Sequence, residues 1–206
     1  MSSVEEEIRG LAARYAADLQ QKFEARTVEM QADDTSHFLI YRVLGISAAE
    51  GHLIDLYQNK GRFLYNAAGR FLEEATKLCF ADRFPTSGGV AIPNSRGSRP
   101  KTFGIDCLVN TDAIEIKWRD ATTDGDHITK EHTRIRAIVD AGYKPVRVMF
   151  FYPNRTQAIR IQETLATLYA GIGGEYHFGD GAWAYVNRRT GIDLRAILEA
   201  LADEKT

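Results

Sequence analysis

Cysteines and long apolar runs are scarce in this sequence. Its 206 residues include two cysteines, Cys79 and Cys107, each inside an apolar run with no partner at short spacing. Two isolated thiols favour core positions in a reducing compartment over a disulfide scaffold. No stretch reaches the roughly 18 apolar residues of a membrane span, and the first residues lack the basic and apolar segments of a secretory signal. We therefore expect a globular protein of the cytoplasm.

A large excess of charge of either sign is also missing, because the net charge is −2. The distribution is more informative than the total. Residues 1–34 hold eight acidic and four basic side chains, whereas residues 60–160 hold 17 Lys and Arg against 11 Asp and Glu. A basic central region is compatible with binding to DNA. An ordinary solvated helix surface explains the same counts, and charge alone does not separate the two interpretations.

Helical periodicity dominates the first third of the chain. Apolar residues recur every three or four positions over residues 3–26, 37–44 and from Ser47 toward Phe80, with a break expected near residues 59–61. Residues 47–50 read Ser-Ala-Ala-Glu, the Ser-x-x-Glu form of a capping box. We expect a helical region over residues 1–58 and a core over residues 59–206, together in one compact domain.

The second half alternates between strand and helix patterns. The expected order is a Pro- and Gly-containing loop at 85–101, strands at 102–109 and 113–118 joined by a turn at 110–112, a helix at 128–141, a strand at 145–152, a helix at 156–169 and a helical tail at 182–204 interrupted at 190–191. The short turn makes the first two strands an antiparallel hairpin. This order predicts an α/β fold with a central mixed β-sheet flanked by helices, preceded by the N-terminal helical extension.

Three charged side chains coincide with the predicted hairpin. Asp106 lies on its first strand, and Glu115 and Lys117 lie on its second. Because side chains alternate between the faces of a strand, Glu115 and Lys117 project together, and a short turn allows Asp106 to join them. Two carboxylates among apolar neighbours are costly unless something compensates them. Their hard oxygens suit Mg²⁺.

This set of groups favours phosphodiester hydrolysis. Asp106 and Glu115 would hold a metal ion that polarises a phosphate and lowers the pKa of a bound water. Lys117 would orient or help to deprotonate that water and would offset charge on the phosphorane. Because this pattern arises often by chance, the nuclease interpretation depends on its context: the residues lie on adjacent predicted strands, and helices precede and follow them. The alternative is an exposed Glu–Lys pair on an edge hairpin.

The sequence around these residues resembles a known nuclease family. The run GIDCLVNTDAIEIKWRD at 104–120 looks like the active-site hairpin of the PD-(D/E)xK nuclease superfamily, with Ile105 where the motif has proline. The wider stretch 94–161, with NSRGSRPKTFGID, AIEIKWRDATTDGDH and GYKPVRVMFFYPNR, resembles the ApaLI-like type II restriction endonucleases. The resemblance covers about a third of the chain closely and the remainder loosely.

The resemblance implies a homodimer that uses Mg²⁺ to cut both strands of a short palindromic site in double-stranded DNA, in a prokaryotic cytoplasm and within restriction-modification. Carried over by position, it assigns catalysis to Asp106, Glu115 and Lys117, and metal binding to Asp106, Glu115 and Ile116. It also implies the superfamily fold, a mixed sheet flanked by helices.

Glu74 is the candidate for a further active-site acid, because superfamily members often add a carboxylate from the helix before the hairpin. A helical wheel places Glu74 on the apolar face that Ala67 and Phe71 define, and Glu73 toward water. An acid on an apolar face should be paired or bound to metal. The alternative is a buried salt bridge to a basic residue one turn away.

The loop before the catalytic strand carries polar and basic side chains suited to DNA. Arg and Asn read base edges through paired hydrogen bonds, while Lys and Ser bind phosphates. The expected DNA-binding residues are Asn94, Ser95, Arg96, Ser98, Arg99 and Lys101, together with Arg119 at the end of the second strand.

The segment after the hairpin carries several acidic and basic residues of less specific meaning. Asp120, Asp124 and Asp126 lack the regular spacing of a calcium loop, so Asp126 or Thr129 is expected to cap the next helix. The basic residues of that helix predict an exposed face that touches phosphate, namely Lys130, His132, Arg134 and Arg136.

Three other functions remain open at this point. A repair or junction-resolving nuclease of the same superfamily would act on DNA structure and have less need of a base-reading loop. A DNA-binding protein on this fold without catalysis would have no need for the charged triad. A small-molecule α/β enzyme would need a cofactor motif, and the Gly171–Gly174 stretch follows a helix and lacks a GK[ST] sequence.

Overall fold

The computed structural model describes residues 3–119 and 126–205. Within them the chain forms seven helices and five strands in the order α1 (Ser3–Gln31), α2 (Phe38–Val43), α3 (Ala48–Arg83), β1 (Gly88–Pro93), β2 (Thr102–Val109), β3 (Asp112–Arg119), α4 (Asp126–Asp140), β4 (Lys144–Phe151), α5 (Thr156–Gly171), β5 (Glu175–Phe178), α6 (Asp180–Thr190) and α7 (Leu194–Asp203). None of the helices in these residues is long and apolar enough to cross a membrane.

The chain divides into two compact units. One, the core unit, comprises Met1–Ile8 and Leu72–Thr206 and contains the whole sheet. The other, the helical unit, comprises Arg9–Phe71. The division of the sequence into residues 1–58 and 59–206 stays a prediction.

The five strands form one mixed sheet in the order β1-β2-β3-β4-β5. The pairs β1–β2 and β2–β3 are antiparallel, and the pairs β3–β4 and β4–β5 are parallel. The connection from β3 to β4 runs through α4, as a parallel pair requires. The predicted α/β fold with a mixed sheet flanked by helices is therefore confirmed, and β3 occupies the centre of the sheet.

The hairpin between β2 and β3 closes through a two-residue turn. Val109 pairs with Asp112, which leaves Asn110 and Thr111 as the connection. Asn110 has φ 55°, in the left-handed region that Asn tolerates better than most residues. The predicted strands and their turn match the structure to within one residue.

Two strands were missed by the periodicity. β1 lies inside the segment that is predicted to be a loop, and β5 is a strand of only four residues with the sequence EYHF. Both are edge strands of the sheet. β1 begins with two glycines and ends at Pro93, a composition that is tolerated at an edge and carries little strand signal.

Apolar side chains from the sheet and from α4 build the core around the site. β4 is buried over residues 145–150. One cluster joins strand residues to the inward face of α4, and its members are Ile92, Phe103, Ile105, Ala113, Ala137 and Ile138. Both cysteines are free and buried, which confirms their predicted place in the core.

Within the helical unit, a side-chain cap starts α3. The Ser47 hydroxyl accepts a hydrogen bond from the backbone N–H of Glu50 at 3.2 Å, so the predicted N-cap is confirmed. The expected break near residues 59–61 is wrong, because α3 continues through Gly61. One glycine costs a helix only about 1 kcal/mol relative to Ala, too little to interrupt one of 36 residues.

Within the helical unit, large apolar side chains of α2, of Leu44 directly after it and of α3 are exposed. We call this set the apolar face, and its members are Leu39, Ile40, Val43, Leu44, Leu53, Ile54, Tyr57, Leu64 and Tyr65. On α3, Leu53, Tyr57 and Leu64 are spaced by four and seven residues, which places them on one side of the helix.

Candidate active site

The site forms where β2 and β3 stop pairing through their backbones. The registered pairs run from Val109↔Asp112 to Cys107↔Ile114. Beyond them, the backbone N–H of Ile116 donates to Oδ2 of Asp106 at 2.8 Å. A side-chain carboxylate thus takes the place of a backbone acceptor, and it lies directly against β3.

Glu115 lies on the central strand of the sheet and is buried. Its two oxygens have different partners: Oε1 pairs with Lys117 and Oε2 with the guanidinium of Arg134 on α4. The alternative of an exposed Glu–Lys pair on an edge hairpin is therefore wrong. A buried carboxylate at this place needs its cationic partners to remain charged.

Lys117 lies between the two carboxylates. Its ammonium nitrogen contacts Oε1 of Glu115 and lies 3.9 Å from Oδ2 of Asp106. The structure thus brings together the three residues that the motif singled out, with one positive group placed between two negative ones.

The two carboxyl groups differ in their affinity for a proton. Burial and the nearby charge of Glu115 raise the pKa of Asp106 to about 6, against the opposing effects of Lys117 and the Ile116 N–H. Burial acts in the same direction on Glu115, but the charges of Arg134 and Lys117 outweigh it and hold its pKa below the ordinary value. Asp106 is therefore the carboxyl group whose negative charge the nearby positive groups do not fully compensate.

Behind Glu115 lies a buried charged cluster that the sequence did not reveal. Glu131 of α4 accepts from the hydroxyl of Tyr169 at 2.5 Å and pairs with Arg147 of β4 at 3.2 Å. Arg134 lies 3.5 Å from the same glutamate. The prediction of an exposed basic face is wrong for Arg134, which is buried. Glu131 and Arg134 share the three- and four-residue spacing of the buried Ile135 and Ile138, and this was the overlooked signal.

A comparison with known protein families decides the assignment. Residues 1–203 match the sequence model of the ApaLI-like restriction endonucleases. The chain belongs to that family. No curated protein and no solved structure gave a match. Family membership makes the chain a restriction endonuclease, a hydrolase that binds and cleaves DNA, and it agrees with the resemblance seen in the hairpin.

The donor set of this restriction endonuclease is compatible with Mg²⁺. Within residues 3–119 and 126–205, no group of three or more His, Cys, Asp or Glu side chains forms a metal cluster. Mg²⁺ needs fewer protein ligands, since it keeps several waters and binds one or two carboxylates. Asp106 and Glu115 already flank one cationic group, Lys117. Because the N–H and C=O of a strand residue point to the same side, the carbonyl of Ile116 is directed toward Asp106 as well.

The helical wheel misplaced the acids of α3. Glu74 is exposed, whereas Glu73 is half-buried and pairs with Lys77. The charge of Glu73 contributes to the raised pKa of Asp106. Burial lowers the pKa of Lys77, but Glu73 and, to a smaller extent, Asp106 raise it above its ordinary value. The assignment of Glu74 to the apolar face is therefore wrong. Its catalytic role stays a prediction, and Glu73 is an acid of α3 whose charge acts on Asp106.

Some side chains of the loop between β1 and β2 form hydrogen bonds with other residues of the protein. The guanidinium of Arg96 binds both oxygens of Asp140, at 2.6 and 2.5 Å, and Ser95 donates to the same carboxylate at 2.5 Å. Asn94 folds the loop on itself by donating from its side-chain nitrogen to the carbonyl of Pro100 at 2.9 Å. The other three candidates in the loop, Ser98, Arg99 and Lys101, are exposed.

Arg119 ends β3 beside an aromatic cavity. Its guanidinium lies 5.4 Å from the centre of the Trp118 ring. Both side chains line a cavity of about 330 Å³, which Tyr152, Asn154 and Arg155 also border. The expectations for Asp120 and Asp124 fall outside the described residues, as does the side chain of Asp126.

Proposed function

We propose that this chain is a type II endonuclease that uses Mg²⁺ to hydrolyse both strands of double-stranded DNA at a short palindromic site. The observation that carries the proposal is the placement of Lys117 between Asp106 and Glu115 on the central strand of the sheet. Family membership supports the restriction function. A prokaryotic cytoplasm, with a restriction-modification system, is the setting that fits such an enzyme.

The roles that we propose for the site residues follow from their contacts. Asp106, Glu115 and the carbonyl of Ile116 would hold the metal, since the two carboxylates flank the place where a cationic group already sits. Bound there, Mg²⁺ would polarise the scissile phosphate and lower the pKa of a coordinated water. Lys117 is the most exposed member of the set, with 36% of its side chain accessible, so it can turn toward the substrate. There its ammonium orients the attacking water and offsets negative charge on the phosphate.

DNA contacts are proposed for the loop between β1 and β2 and for Arg119. The exposed side chains of Arg99 and Lys101 are suited to base edges and phosphates, respectively. Arg96, Ser95 and Asn94 hold the loop in shape in the absence of DNA. They would reach DNA only by exchanging these partners for nucleotide groups.

A homodimer is proposed through the apolar face of the helical unit. Its nine large side chains are each about half exposed or more. A standard interface takes on the order of 800 Å² from each partner. So many exposed large apolar side chains on two successive helices are unusual for a protein that functions as a monomer. A second copy of the chain is the occupant we propose, because cutting both strands of a palindrome calls for two related active sites.

The proposed function is tested by incubating plasmid DNA with Mg²⁺ and four proteins: the wild type, Lys117→Ala, Asp106→Ala and the control Lys205→Ala. Lys205 is exposed near the end of the chain. We expect discrete fragments from the wild type and the control, and no cleavage by the two site variants. Asp106→Ala should retain DNA binding in Ca²⁺.

Intact plasmid in every reaction would contradict sequence-specific cleavage. Branched DNA would then be offered to the same four proteins. Cleavage of the branched substrate alone would indicate a structure-specific repair or junction nuclease. Binding without cleavage of either substrate would indicate a DNA-binding protein without catalysis.

A further inference from the structure

Arg134 connects three elements at the back of the candidate site. One terminal nitrogen donates to the carbonyl of Gly104 on β2, at 3.0 Å, and to Oε2 of Glu115 on β3. Its other terminal nitrogen lies 3.5 Å from Oε1 of Glu131 on its own helix. Gly104 stands two residues before Asp106, so a single guanidinium ties Glu115 to the strand that carries the second carboxylate.

Arg134 is itself held in place. Glu131 also binds Arg147 and the hydroxyl of Tyr169, both of which are almost completely buried. Glu115 and Glu131 together carry two negative charges, and Arg134 and Arg147 carry two positive ones. The cluster is therefore neutral without any contribution from Lys117. Buried charges of this kind are tolerated only as a hydrogen-bonded set, which fixes each member.

The two cationic partners of Glu115 differ in exposure. The side chain of Arg134 is 10% accessible, whereas that of Lys117 is 36% accessible. They also bind different oxygens, Oε2 and Oε1 respectively. A carboxylate that takes up a metal must free one oxygen, and the exposed lysine can leave at lower cost than the buried arginine.

We propose that Arg134 is a positioning residue that keeps Oε2 of Glu115 throughout the reaction, while Lys117 releases Oε1 to the metal. The inference rests on the proposed function, because it concerns the proposed metal site. Arg134 touches neither the DNA nor the reacting atoms. Its role is to fix the direction in which Glu115 presents its free oxygen beside Asp106.

The substitution Arg134→Lys separates the positioning effect of Arg134 from its charge. A lysine keeps the positive charge, but its single ammonium lacks the planar fork that reaches Gly104, Glu115 and Glu131 together. The matched control is Arg160→Lys, the same change at an exposed position of α5. Lys117→Met is the third variant, because it removes the partner that we expect to leave.

Binding of Ca²⁺ to the protein without DNA is measured by titration calorimetry. We expect Arg134→Lys to weaken binding by roughly 10–100-fold, the usual effect of losing a residue that orients a metal ligand. Arg160→Lys should bind like the wild type, and Lys117→Met should bind at least as tightly as the wild type. In Mg²⁺, Arg134→Lys should need more metal for half-maximal cleavage, whereas Lys117→Met should not cleave at any concentration.

Wild-type affinity for Ca²⁺ in Arg134→Lys would overturn the inference and leave the proposed function standing. Weakened binding in Lys117→Met would overturn the exchange of Oε1. A wild type that neither binds Ca²⁺ nor cleaves DNA would instead refute the metal-dependent function itself. If Arg134→Lys fails to fold by circular dichroism, Tyr169→Phe provides a milder change. It removes one hydrogen bond to Glu131 and should lower Ca²⁺ affinity by a smaller factor; unchanged affinity there would overturn the inference.

Discussion

The core unit buries charges, and the helical unit exposes apolar side chains. In the core unit, Glu115, Glu131, Arg134 and Arg147 lie almost out of contact with water. In the helical unit, Tyr57 is 65% exposed among eight other large apolar residues. Each arrangement reverses the ordinary distribution and costs free energy in the isolated chain. The two exceptions coincide with the two places to which the proposed function assigns binding: an ion and DNA beside Glu115 in the core unit, and a second copy of the chain on the helical unit.

Removing one charge from the core unit should have the largest effect. Arg147→Met leaves Glu131 and Glu115 with a single buried arginine, so we expect the free energy of unfolding to fall by about 3–5 kcal/mol. Urea unfolding measures the loss. Arg160→Met, an exposed change on α5, should alter the same quantity by less than about 0.5 kcal/mol. A similar small change in both variants would mean that the cluster contributes little to stability.

Titration of Asp106 should have the next largest effect in metal-free protein. The folded-state pKa of about 6 exceeds the ordinary value of 3.8, so the folded protein binds this proton more tightly than the unfolded chain. The resulting stability is present below pH 3.8 and is lost as the pH rises through about 6.

Asp106→Asn carries no charge at any pH and should lack this loss. The pH dependence of its unfolding free energy should differ from that of the wild type by about 3 kcal/mol across the interval. Thermal or urea unfolding in a chelator provides the comparison. Parallel curves for the two proteins would show that Asp106 is not perturbed in the folded state.

The apolar face allows the converse test. Tyr57→Glu places a charge on it at an exposed position of α3, and a buried interface residue of this kind contributes about 2 kcal/mol or more to association. We expect wild-type dimers in sedimentation equilibrium and at least a 30-fold weaker association for the variant, with helix content unchanged. Gln58→Glu, a charge at the neighbouring exposed position, serves as the control. A monomeric wild type would remove the second copy as the occupant of this face.

The exposed loop between β1 and β2 should give the smallest effect, since its charges are neither buried nor part of an apolar surface. Arg99→Ala should weaken binding to a cognate duplex in Ca²⁺ by about 1–3 kcal/mol and relax preference at one base pair if Arg99 reads a base. Arg96→Ala should show less loss of base preference, because its guanidinium is engaged by Asp140. Equal binding by wild type and Arg99→Ala would exclude this loop from recognition.

Sequence patterns predicted the hairpin well because its signals are local. Alternating apolar residues and a two-residue turn define β2 and β3, and the positions of Asp106, Glu115 and Lys117 follow from them. The edge strand β1 was missed because glycine and proline weaken its pattern and a neighbouring strand stabilises it. Such pairing is a long-range contact that no local window contains.

The supporting residues of the site could not be predicted for a related reason. The basic side chain of Arg134 predicts an exposed position, although its spacing from Ile135 and Ile138 places it on the buried side of α4. Only contacts from β2 and β3 make that burial tolerable. The helical wheel predicts the exposure of Glu73 and Glu74 the wrong way round, because a wheel resolves neighbouring positions poorly when a helix packs on more than one side.

The two-residue turn at Asn110 and Thr111 sets the alignment of the two strands that carry the proposed catalytic residues. Its length fixes which residue of β2 stands opposite which residue of β3. Adding or deleting one residue there would slide the strands by one position and send Asp106 and Glu115 to opposite faces of the sheet. The proposed roles of Asp106 and Glu115 therefore depend on the geometry of this turn, in which Asn110 adopts the left-handed conformation.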